Sequence, residues 1–316
     1  MIIFLFVIPI CLAQFNESLI ILNQSNFSNP AYAINLGLPG FGNVQKLTGF
    51  DYKQKHQVYK GCSAVYNGRM LLFGGDDVNP FIQYENPKSI GELVGCELQT
   101  LSTQLPHDMI GHSCSAVDAG VIMCGSVVEP QLCFMFQGND NITAIQSTNQ
   151  EHNYAAMVTF QHFGIIIAGD DQDFTGKSVE AFDGSSWNTI GEFPIVVDNH
   201  SAVVIGGNSG AIYVFGGWGA TNAIDSTFLT QDGGSTWIKG PSLLTKRGQH
   251  RSVLVDGYII LHIGGRNATD VGIDVEMWTF QDAAGIARTQ LEWHLPNFTL
   301  YPEPFLVDYK QAQKCV

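Results

Sequence analysis

Basic residues are scarce in this chain of 316 residues, which has 15 Lys and Arg against 29 Asp and Glu and a formal net charge of −14. Nucleic acids and anionic membranes favour a basic patch, so this balance argues against both as partners. Charged residues of both signs make up only 14% of the sequence, whereas glycine occurs 34 times. This composition predicts short strands and tight turns rather than charged helical faces.

Long hydrophobic runs are also missing. The apolar segment at the N-terminus, MIIFLFVIPICLA, is shorter than the roughly 20 residues that a spanning helix needs, and no later segment is apolar over that length. The segment has the length of a signal peptide's apolar region and ends in small residues, although it carries no Lys or Arg. We expect residues 1–13 to be a cleaved signal peptide and the mature chain to be secreted, with an uncleaved anchor as the alternative.

Sequons of the Asn-x-Ser/Thr type, the acceptors for N-glycosylation of secreted proteins, support this address. They begin at Asn16, Asn23, Asn26, Asn141, Asn199, Asn267 and Asn297. We expect residues 14–30, where three of them lie, to be a flexible glycosylated tail. Sequons also arise by chance, and Asn199 above all is expected to lie too close to a strand for modification.

The number of cysteines also supports secretion. Cys11 would leave with the signal peptide, and an even number of cysteines then remains. They are Cys62, Cys96, Cys114, Cys124, Cys133 and Cys315. An even number in a secreted chain predicts disulfides, with buried free thiols as the alternative.

A repeated pattern runs along the chain: an apolar or small run, a turn with glycine, a second apolar run and a closing glycine. It occupies residues 61–75, 112–126, 152–170, 200–217 and 250–265. The closing glycines are Gly74, Gly125, Gly169, Gly216 and Gly264, at spacings of 51, 44, 47 and 48 residues. Each segment predicts a hairpin whose second strand is buried on both faces, and two further strands follow it.

The combination of His-Ser, Gly-Gly, an aromatic residue and Trp resembles the kelch repeat over roughly residues 59–300, as in HSAVVIGGNSGAIYVFGG (200–217) with a later STW (235–237). CGS (124–126) and AGD (168–170) depart from Gly-Gly, and the second unit lacks the Trp. The resemblance implies an all-β propeller whose first strands line a central channel. We expect residues 31–316 to form six four-stranded blades, the sixth shared by strands from both termini, because a closed ring leaves no open edge. Seven blades are the alternative.

The predicted strands give partners for the cysteines. Cys124 ends a second strand and Cys133 begins the third, so neighbouring antiparallel strands bring them within bonding reach. The other expected pairs are Cys96–Cys114, which would link the first unit to the second, and Cys62–Cys315, which would lock the ring where its ends join.

The stretch Thr230–Trp237, TQDGGSTW, resembles the Asp-box turn of sialidase-type propellers. In such a turn Asp232 accepts hydrogen bonds from its own backbone and Trp237 packs between sheets, which is structural work. A sialidase also needs three arginines for the substrate carboxylate and a Tyr nucleophile with a Glu partner. The arginines of this chain, none of them in the sequence context of that family, are Arg69, Arg247, Arg251, Arg266 and Arg288.

Kelch-type copper oxidases suggest a second enzymatic interpretation, but they need an extra domain for which this chain has no room. Four histidines, His112, His152, His200 and His250, recur once per unit. Recurrence at the repeat period is typical of a structural position rather than of a metal ligand. We expect no metal, no cofactor and no catalytic group.

The loops after the closing glycines should gather on one face of the ring, where propellers commonly bind partners. Candidate binding residues there are Asp76, Asp77, Asp170, Asp171, Asp173, Trp218 and Arg266. Acidic loops around Trp218 as an anchor would suit a basic protein segment, although ordinary solvated loops are the plainer interpretation. The run from Asp170 to Asp173 lacks the glycine and distal glutamate of a known calcium loop.

These observations predict a secreted kelch-like propeller that acts as a scaffold for an extracellular protein partner and is not an enzyme. The alternative function is glycan binding or, with less support, a sialidase-like glycoside hydrolase.

Overall fold

The structure, a computed structural model, describes residues 17–22, 31–36, 45–46, 51–53, 60–76, 87–171, 173, 175–207, 210–269, 275–281, 285–291 and 302–308. The expected signal peptide over residues 1–13 lies outside this set. Twenty-five strands and no α-helix occur in the described part of the chain. Accordingly, none of it forms a helix long and apolar enough to cross a membrane. The fold is an all-β propeller.

Five sheets are each built from one repeat, and in each the strands are hydrogen-bonded in chain order. The first holds β5 (Cys62–Tyr66), β6 (Arg69–Phe73), β7 (Ile90–Val94) and β8 (Glu97–Thr100). The second holds β9 (Ser113–Val117), β10 (Gly120–Cys124), β11 (Cys133–Phe136) and β12 (Ile142–Ile145). The third holds β13 (Ala156–Phe160), β14 (Phe163–Ile167), β15 (Ser178–Phe182) and β16 (Trp187–Glu192). The fourth holds β17 (Ser201–Ile205), β18 (Ala211–Phe215), β19 (Thr227–Thr230) and β20 (Ile238–Lys239). The fifth holds β21 (Arg251–Val255), β22 (Ile259–Ile263), β23 (Glu276–Gln281) and β24 (Gly285–Gln290).

The second strands are largely buried, as the continuous apolar runs predicted. Every residue of β10 and of β22 is buried. Both faces of these strands are covered because neighbouring sheets stack on either side. The five hairpin repeats found in the sequence are therefore five sheets of the propeller.

Strands from both ends of the chain form a further sheet. It contains β25 (Glu303–Asp308), β1 (Glu17–Leu22), β2 (Ala31–Asn35) and β3 (Gln45–Lys46), in that order. β25 and β1 are antiparallel, with Ile20 opposite Phe305. A sheet shared by strands from both termini agrees with the sequence prediction, but β1 lies before residue 31, where the propeller was expected to begin. β4 (Asp51–Lys53) was not foreseen and adds a parallel fifth strand to the outer edge of β8.

The expectation of a loose tail over residues 14–30 is wrong for Glu17–Leu22, which form β1. Leu19, Ile20, Ile21 and Leu22 are fully buried. The run LIIL has the continuous apolar character of the other second strands, and that signal outweighs the polar residues on either side of it.

Apolar clusters join each sheet to the next around the whole ring. Leu22 and Phe305 of the terminal sheet pack with Leu72 of the first repeat, and Leu19 on the opposite face packs with Val255 of the fifth. Four further clusters join the first repeat to the second, the second to the third, the third to the fourth and the fourth to the fifth. The terminal sheet thus fills the gap between the fifth and first repeats, and the described sheets surround a central channel.

Glycine ends the second strand because the next sheet approaches too closely for a side chain. A Cβ atom on Gly74, whose φ is +58°, would lie 2.3 Å from the carbonyl oxygen of Met109 and 3.0 Å from Cε1 of His112. At Gly216, with φ of +55°, the same atom would meet Arg247 O at 2.5 Å and His250 Cε1 at 3.1 Å. Glycine and histidine therefore recur with one period because they pack against each other across neighbouring sheets.

Two disulfides connect described residues. Cys124 is bonded to Cys133 between β10 and β11, as the sequence predicted. Cys62 is bonded to Cys114, with the Cα atoms 5.9 Å apart, so the expected Cys96–Cys114 and Cys62–Cys315 pairs are wrong. β5 and β9 are neighbouring innermost strands and lie side by side at the channel, whereas Cys96 follows β7 near the outer edge. Cys96 is also disulfide-bonded, and Cys315 lies outside the described residues.

We predict that removing the Cys62–Cys114 bond with C62A/C114A lowers the free energy of unfolding more than removing Cys124–Cys133 with C124A/C133A. The sequence separations are 52 and 9 residues. The loop-entropy relation then gives a difference of about 1.5 kcal/mol. Urea unfolding of both variants and the wild type measures it. Equal destabilisation by the two double substitutions would show that the inter-sheet bond does not restrain the unfolded chain in this way.

Candidate functional site: the channel and its mouth

A belt of backbone hydrogen bonds runs across the five repeats at one end of the channel, which we call the mouth. Its members are Lys60, Gly111, Tyr154, Asn199 and Gln249, one just before each innermost strand of the five repeats, all with positive φ between 52° and 67°. Each amide after the first donates to the carbonyl of the preceding member, at 2.7 to 2.9 Å. Because this chain of bonds ties every repeat to the next, the mouth is a rigid frame.

Three of the four recurring histidines directly follow belt residues. His112, His200 and His250 are each at most 3% exposed and precede the first residue of an innermost strand. His152 is different, because it stands two residues before its belt residue and Ala155 takes the equivalent place. The sequence alignment of His152 with the others is therefore wrong by three positions.

Burial keeps His112, His200 and His250 neutral. It lowers the pKa of His112 to about 3, and the charge of Arg251 contributes. It lowers the pKa of His200 to about 4, with His152 and Arg251 adding to the effect. The pKa of His250 is also well below its ordinary value, through burial and then the charge of Arg247. The described residues contain no group of three or more His, Cys, Asp or Glu arranged to hold a metal ion.

Two buried glutamates, which the sequence analysis missed, fix the connections that enter the third and fifth sheets. Glu180 accepts hydrogen bonds from the amides of Asn149 and Gln150 at 2.8 Å, and its Oε1 lies 3.1 Å from His152 Nε2. Burial opposes its ionisation, but these hydrogen bonds hold the pKa of Glu180 below its usual value. The signal for this role was the shared Val-Glu in SVEAF and DVEMW, at matching positions after the closing glycines.

Glu276 likewise fixes the connection that enters the fifth sheet. It accepts from the Leu244 amide and from Trp278 Nε1, both at 2.8 Å, and lies 3.5 Å from Arg247 Nη2. Arg247 and Glu276 are both fully buried, and Arg247 also donates to Gly264 O at 3.1 Å. Breaking such a pair strands a buried charge, so both residues are structural.

Below the mouth lies a cavity of about 230 Å³ in the channel, lined by the innermost strands of the five repeats and by Pro304 of β25. Its polar lining includes Ser63, Ser113, Ser201 and Ser252. Among the described lining residues, Arg251 is the one charged at neutral pH. The channel is thus a polar cavity with a cationic side chain in its wall.

The loops after the closing glycines lie at the mouth, and the candidate residues occupy equivalent positions there. Asp170, Trp218 and Arg266 each form a backbone bridge with the residue before a belt member, namely Asn153, Asp198 and Gly248. Asp76 follows Gly74-Gly75 in the same way, whereas Asp77 lies outside the described residues. Asp173 is exposed.

Trp218 is held in place rather than free to swing. The Arg266 guanidinium carbon lies 5.1 Å from the centroid of its ring. On Gly248 a Cβ atom would come within 2.4 Å of the same ring, so the indole lies against bare backbone there. Trp218 remains only partly exposed, which makes it a fixed wall of the mouth rather than a protruding anchor.

Acidic side chains converge beside Trp218. Partial burial, followed by the charges of Asp198, Asp171 and Glu151, raises the pKa of Asp170 to about 6. Burial also raises the pKa of Asp198, against a hydrogen bond from Asn199. The carboxylate of Asp171 is partly occupied, since it accepts from the Thr175 amide at 2.6 Å and from the Thr175 hydroxyl at 2.8 Å. The mouth therefore presents a negative surface, the acidic cluster, made of Asp170, Asp171, Asp198 and Glu151.

The turn at TQDGGSTW is fully engaged in its own hydrogen bonds. Asp232 accepts from Thr230 Oγ1 at 2.7 Å, from the Thr236 amide at 2.9 Å and from Thr236 Oγ1 at 2.6 Å. Burial raises the pKa of Asp232, but these bonds together outweigh it and lower the pKa to about 2. Trp237 packs edge-on against Phe193, with ring centroids 4.8 Å apart. The turn lies away from the mouth and stabilises the third and fourth sheets.

The arginines are dispersed rather than gathered around one substrate carboxylate. Arg69 pairs with Glu92 and Asp140, at 2.7 and 2.6 Å. Arg288 donates to the Ser242 carbonyl, a contact outside the channel. Arg247 pairs with Glu276. Arg251 lies in the channel wall, and Arg266 stacks on the ring of Trp218.

The sequons that can be placed differ in their surroundings. Asn141 is exposed, in the turn between β11 and β12. Asn199 is a half-buried belt member whose side chain donates to Asp198, which supports the expectation that it is hard to modify. Asn267 is partly exposed and accepts from the Thr269 amide. Those outside the described residues are Asn16, Asn23, Asn26 and Asn297.

Comparison with known proteins gives a likeness of fold. No family model matches the chain, and no curated protein sequence matches it. A solved structure titled "Structure of YjhT" superposes with a TM-score of 0.68 at 16% identity, covering 83% of this chain and 91% of that one. At this identity the likeness supports the propeller architecture and carries no residue role.

We predict that the folded protein loses stability as the pH falls from 6.5 to about 4. Over this range the unfolded chain binds protons at histidines whose folded pKa is about 3 for His112 and about 4 for His200. Each such histidine removes up to about 1.4 kcal/mol of unfolding free energy per pH unit. Asp170 and Asp198, whose folded pKa values are raised, act in the opposite direction, but the buried histidines, which also include His250 and His262, outnumber them.

Urea unfolding at several pH values measures this slope. H200Q should make it shallower, because one buried histidine no longer titrates. H162Q is the matched control, since His162 is 66% exposed at the far end of the channel and should leave the slope unchanged. A stability profile that is flat from pH 6.5 to 4 would contradict the buried neutral state.

Proposed function

We propose that this protein is an extracellular kelch-like propeller, with six blades, that binds a basic segment of a protein partner at the mouth of its channel. The observation that carries the proposal is the acidic cluster beside Trp218, in which Asp170 from a loop and Asp198 and Glu151 from the connections between repeats lie on a hydrogen-bonded frame. Rigid scaffolds with varied loops are the usual way in which propellers bind partners.

The charge of the mouth favours a cationic ligand. Asp170 stays partly protonated near pH 6 because partial burial, and then the charges of Asp198, Asp171 and Glu151, raise its pKa. A lysine or arginine placed among these groups would relieve their repulsion, and the overall charge of −14 would steer such a ligand toward the protein. The half-buried indole of Trp218 offers an apolar wall for the aliphatic part of the same side chain.

The extracellular address and the kelch assignment are part of the proposal. Two disulfides fit an oxidising compartment, and the apolar N-terminus and the exposed sequon at Asn141 fit secretion with glycosylation. The Gly-Gly and His that pack across neighbouring sheets support a kelch-like repeat, and the shared terminal sheet supports six blades.

Glycan binding is the second candidate, favoured by the partly exposed Trp218 ring with Arg266 stacked on it. Aromatic faces next to hydrogen-bond donors suit sugar rings. Retention of a glycan on an array, abolished by W218A, would favour it over the basic segment. Hydrolysis of a fluorogenic sialoside by the purified protein would instead revive the enzymatic alternative.

We predict that D170N/D198N weakens binding of an oligolysine peptide about tenfold, because each exposed ion pair contributes up to about 1 kcal/mol. Fluorescence anisotropy with a labelled peptide measures it. D118N/D256N is the matched control, since it removes two carboxylates from hairpin turns at the opposite end of the channel. Equal weakening by both double variants would mean that net charge, rather than the mouth, holds the peptide.

We also predict that peptide binding by the wild type weakens between pH 7.5 and 5.5. Asp170 has a pKa of about 6, so it becomes neutral over this interval and its attraction for a cation is lost. D170N should bind with less pH dependence over the same interval. An unchanged pH dependence in D170N would exclude Asp170 as the responsible group.

A further inference from the structure

A groove lies between the third and fourth sheets, and the proposed function leaves it unassigned. Its volume is about 440 Å³. The turns that flank it join β13 to β14, β15 to β16 and β19 to β20, so it lies at the end of the propeller opposite the mouth. Ligand pockets commonly measure about 300–1,000 Å³, and the groove therefore has room for a small organic molecule.

The groove stays open because the turn between β19 and β20 touches the third sheet at two separate points. At one point, a Cβ atom on Gly233 would lie 3.8 Å from Cδ1 of Phe160, at the end of β13. At the other, a Cβ atom on Gly191 in β16 would lie 2.5 Å from the carbonyl oxygen of Gly234. Between these contacts, over β14 and β15, the small side chain of Ala181 leaves space unfilled.

The inner surface of the groove is apolar and partly aromatic. Phe160 and Ile165 line it and are 3% and 2% exposed. Phe163, which also lines it, stands directly opposite Phe160 in the register of β13 and β14 and is 42% exposed. Opposed residues of antiparallel strands have their side chains on the same face of the sheet, so two phenyl rings belong to one wall. Such rings bind apolar groups and also attract cations through their faces.

The rim of the groove is negatively charged, because Asp183 and Asp232 line it and both are exposed. Asp183 accepts from the amides of Ser186 and Ser185, both at 2.8 Å, and these bonds hold its pKa well below its usual value. The donors in both turns are neutral amides and hydroxyls, so each carboxylate keeps its charge at neutral pH. The described lining residues include no Lys, Arg or His to offset it.

We propose that the groove binds a small organic cation with an apolar body, a quaternary ammonium or an aromatic amine. The cationic group lies near Asp183 and Asp232, and the apolar body lies against Phe160 and Phe163. An anion would be repelled by the rim, whereas a neutral molecule would gain from the apolar wall alone. The site is at the opposite end of the propeller from the acidic cluster, so it does not depend on the proposed partner.

Isothermal titration of the folded full-length chain with three probes that share a benzene ring tests the proposal. The probes are benzyltrimethylammonium, benzyl alcohol and benzoate, which are cationic, neutral and anionic. We expect saturable binding of one equivalent of the cation to the groove, at least about tenfold tighter than binding of either other probe. The proposal is overturned if the cation does not bind saturably, or if benzyl alcohol binds as tightly as the cation.

Charge variants locate the cationic group. D183N/D232N should weaken binding of benzyltrimethylammonium about tenfold, because two exposed ion pairs are lost. D118N/D256N is the matched control, since it removes two carboxylates from other hairpin turns at the same end of the propeller and should leave affinity within about twofold. Equal weakening by the two double variants would mean that net charge holds the probe and would contradict the assignment to the rim.

A further variant keeps the test decisive if D183N/D232N does not fold. Ala181 is partly buried and lines the groove, so A181L fills it without removing a polar group. We expect A181L to lose saturable binding of benzyltrimethylammonium at the groove, while near-ultraviolet circular dichroism shows that it is folded. Undiminished binding by a folded A181L would place the cation elsewhere, for example at the mouth, and overturn the inference.

Discussion

The pairing of β25 with β1 is the contact on which the rest of the molecule depends. Each repeat makes a sheet that is apolar on both faces, so the fifth and first repeats would expose Val255 and Leu72 without a sheet between them. The chain ends supply that sheet, and this explains why Leu19–Leu22 are fully buried so near the N-terminus. A channel, a belt and a mouth exist because the ring is closed.

The local part of this architecture could be predicted and the long-range part could not. Hairpins follow from apolar runs and glycine turns within about 15 residues, so the five repeats were evident from the positions of Gly74 to Gly264. The Cys62–Cys114 bond depends instead on which strands stand side by side at the channel, which spacing along the chain does not encode. β4 escaped notice because three residues in a polar context carry no periodic signal.

For a related reason, the sequence predicted only some of the residues of the candidate site. Asp170, Trp218 and Arg266 could be assigned to one face because they follow glycines of equivalent strands. The residues with which Trp218 and Arg266 form backbone bridges, Asp198 and Gly248, come from the connections between neighbouring repeats. Only the three-dimensional packing brings them together. Glu180 and Glu276 were overlooked because glutamate normally lies at the surface, whereas here backbone amides compensate its burial.

The channel axis carries an ordered separation of charge. The acidic cluster lies at the mouth, while Arg251 lies in the cavity on the other side of the belt. The charge of Arg251 contributes to the lowered pKa values of His112 and His200, which line the same cavity. The belt of backbone hydrogen bonds holds the two regions at fixed positions, so this separation of charge is set by the frame of the propeller rather than by movement of the loops.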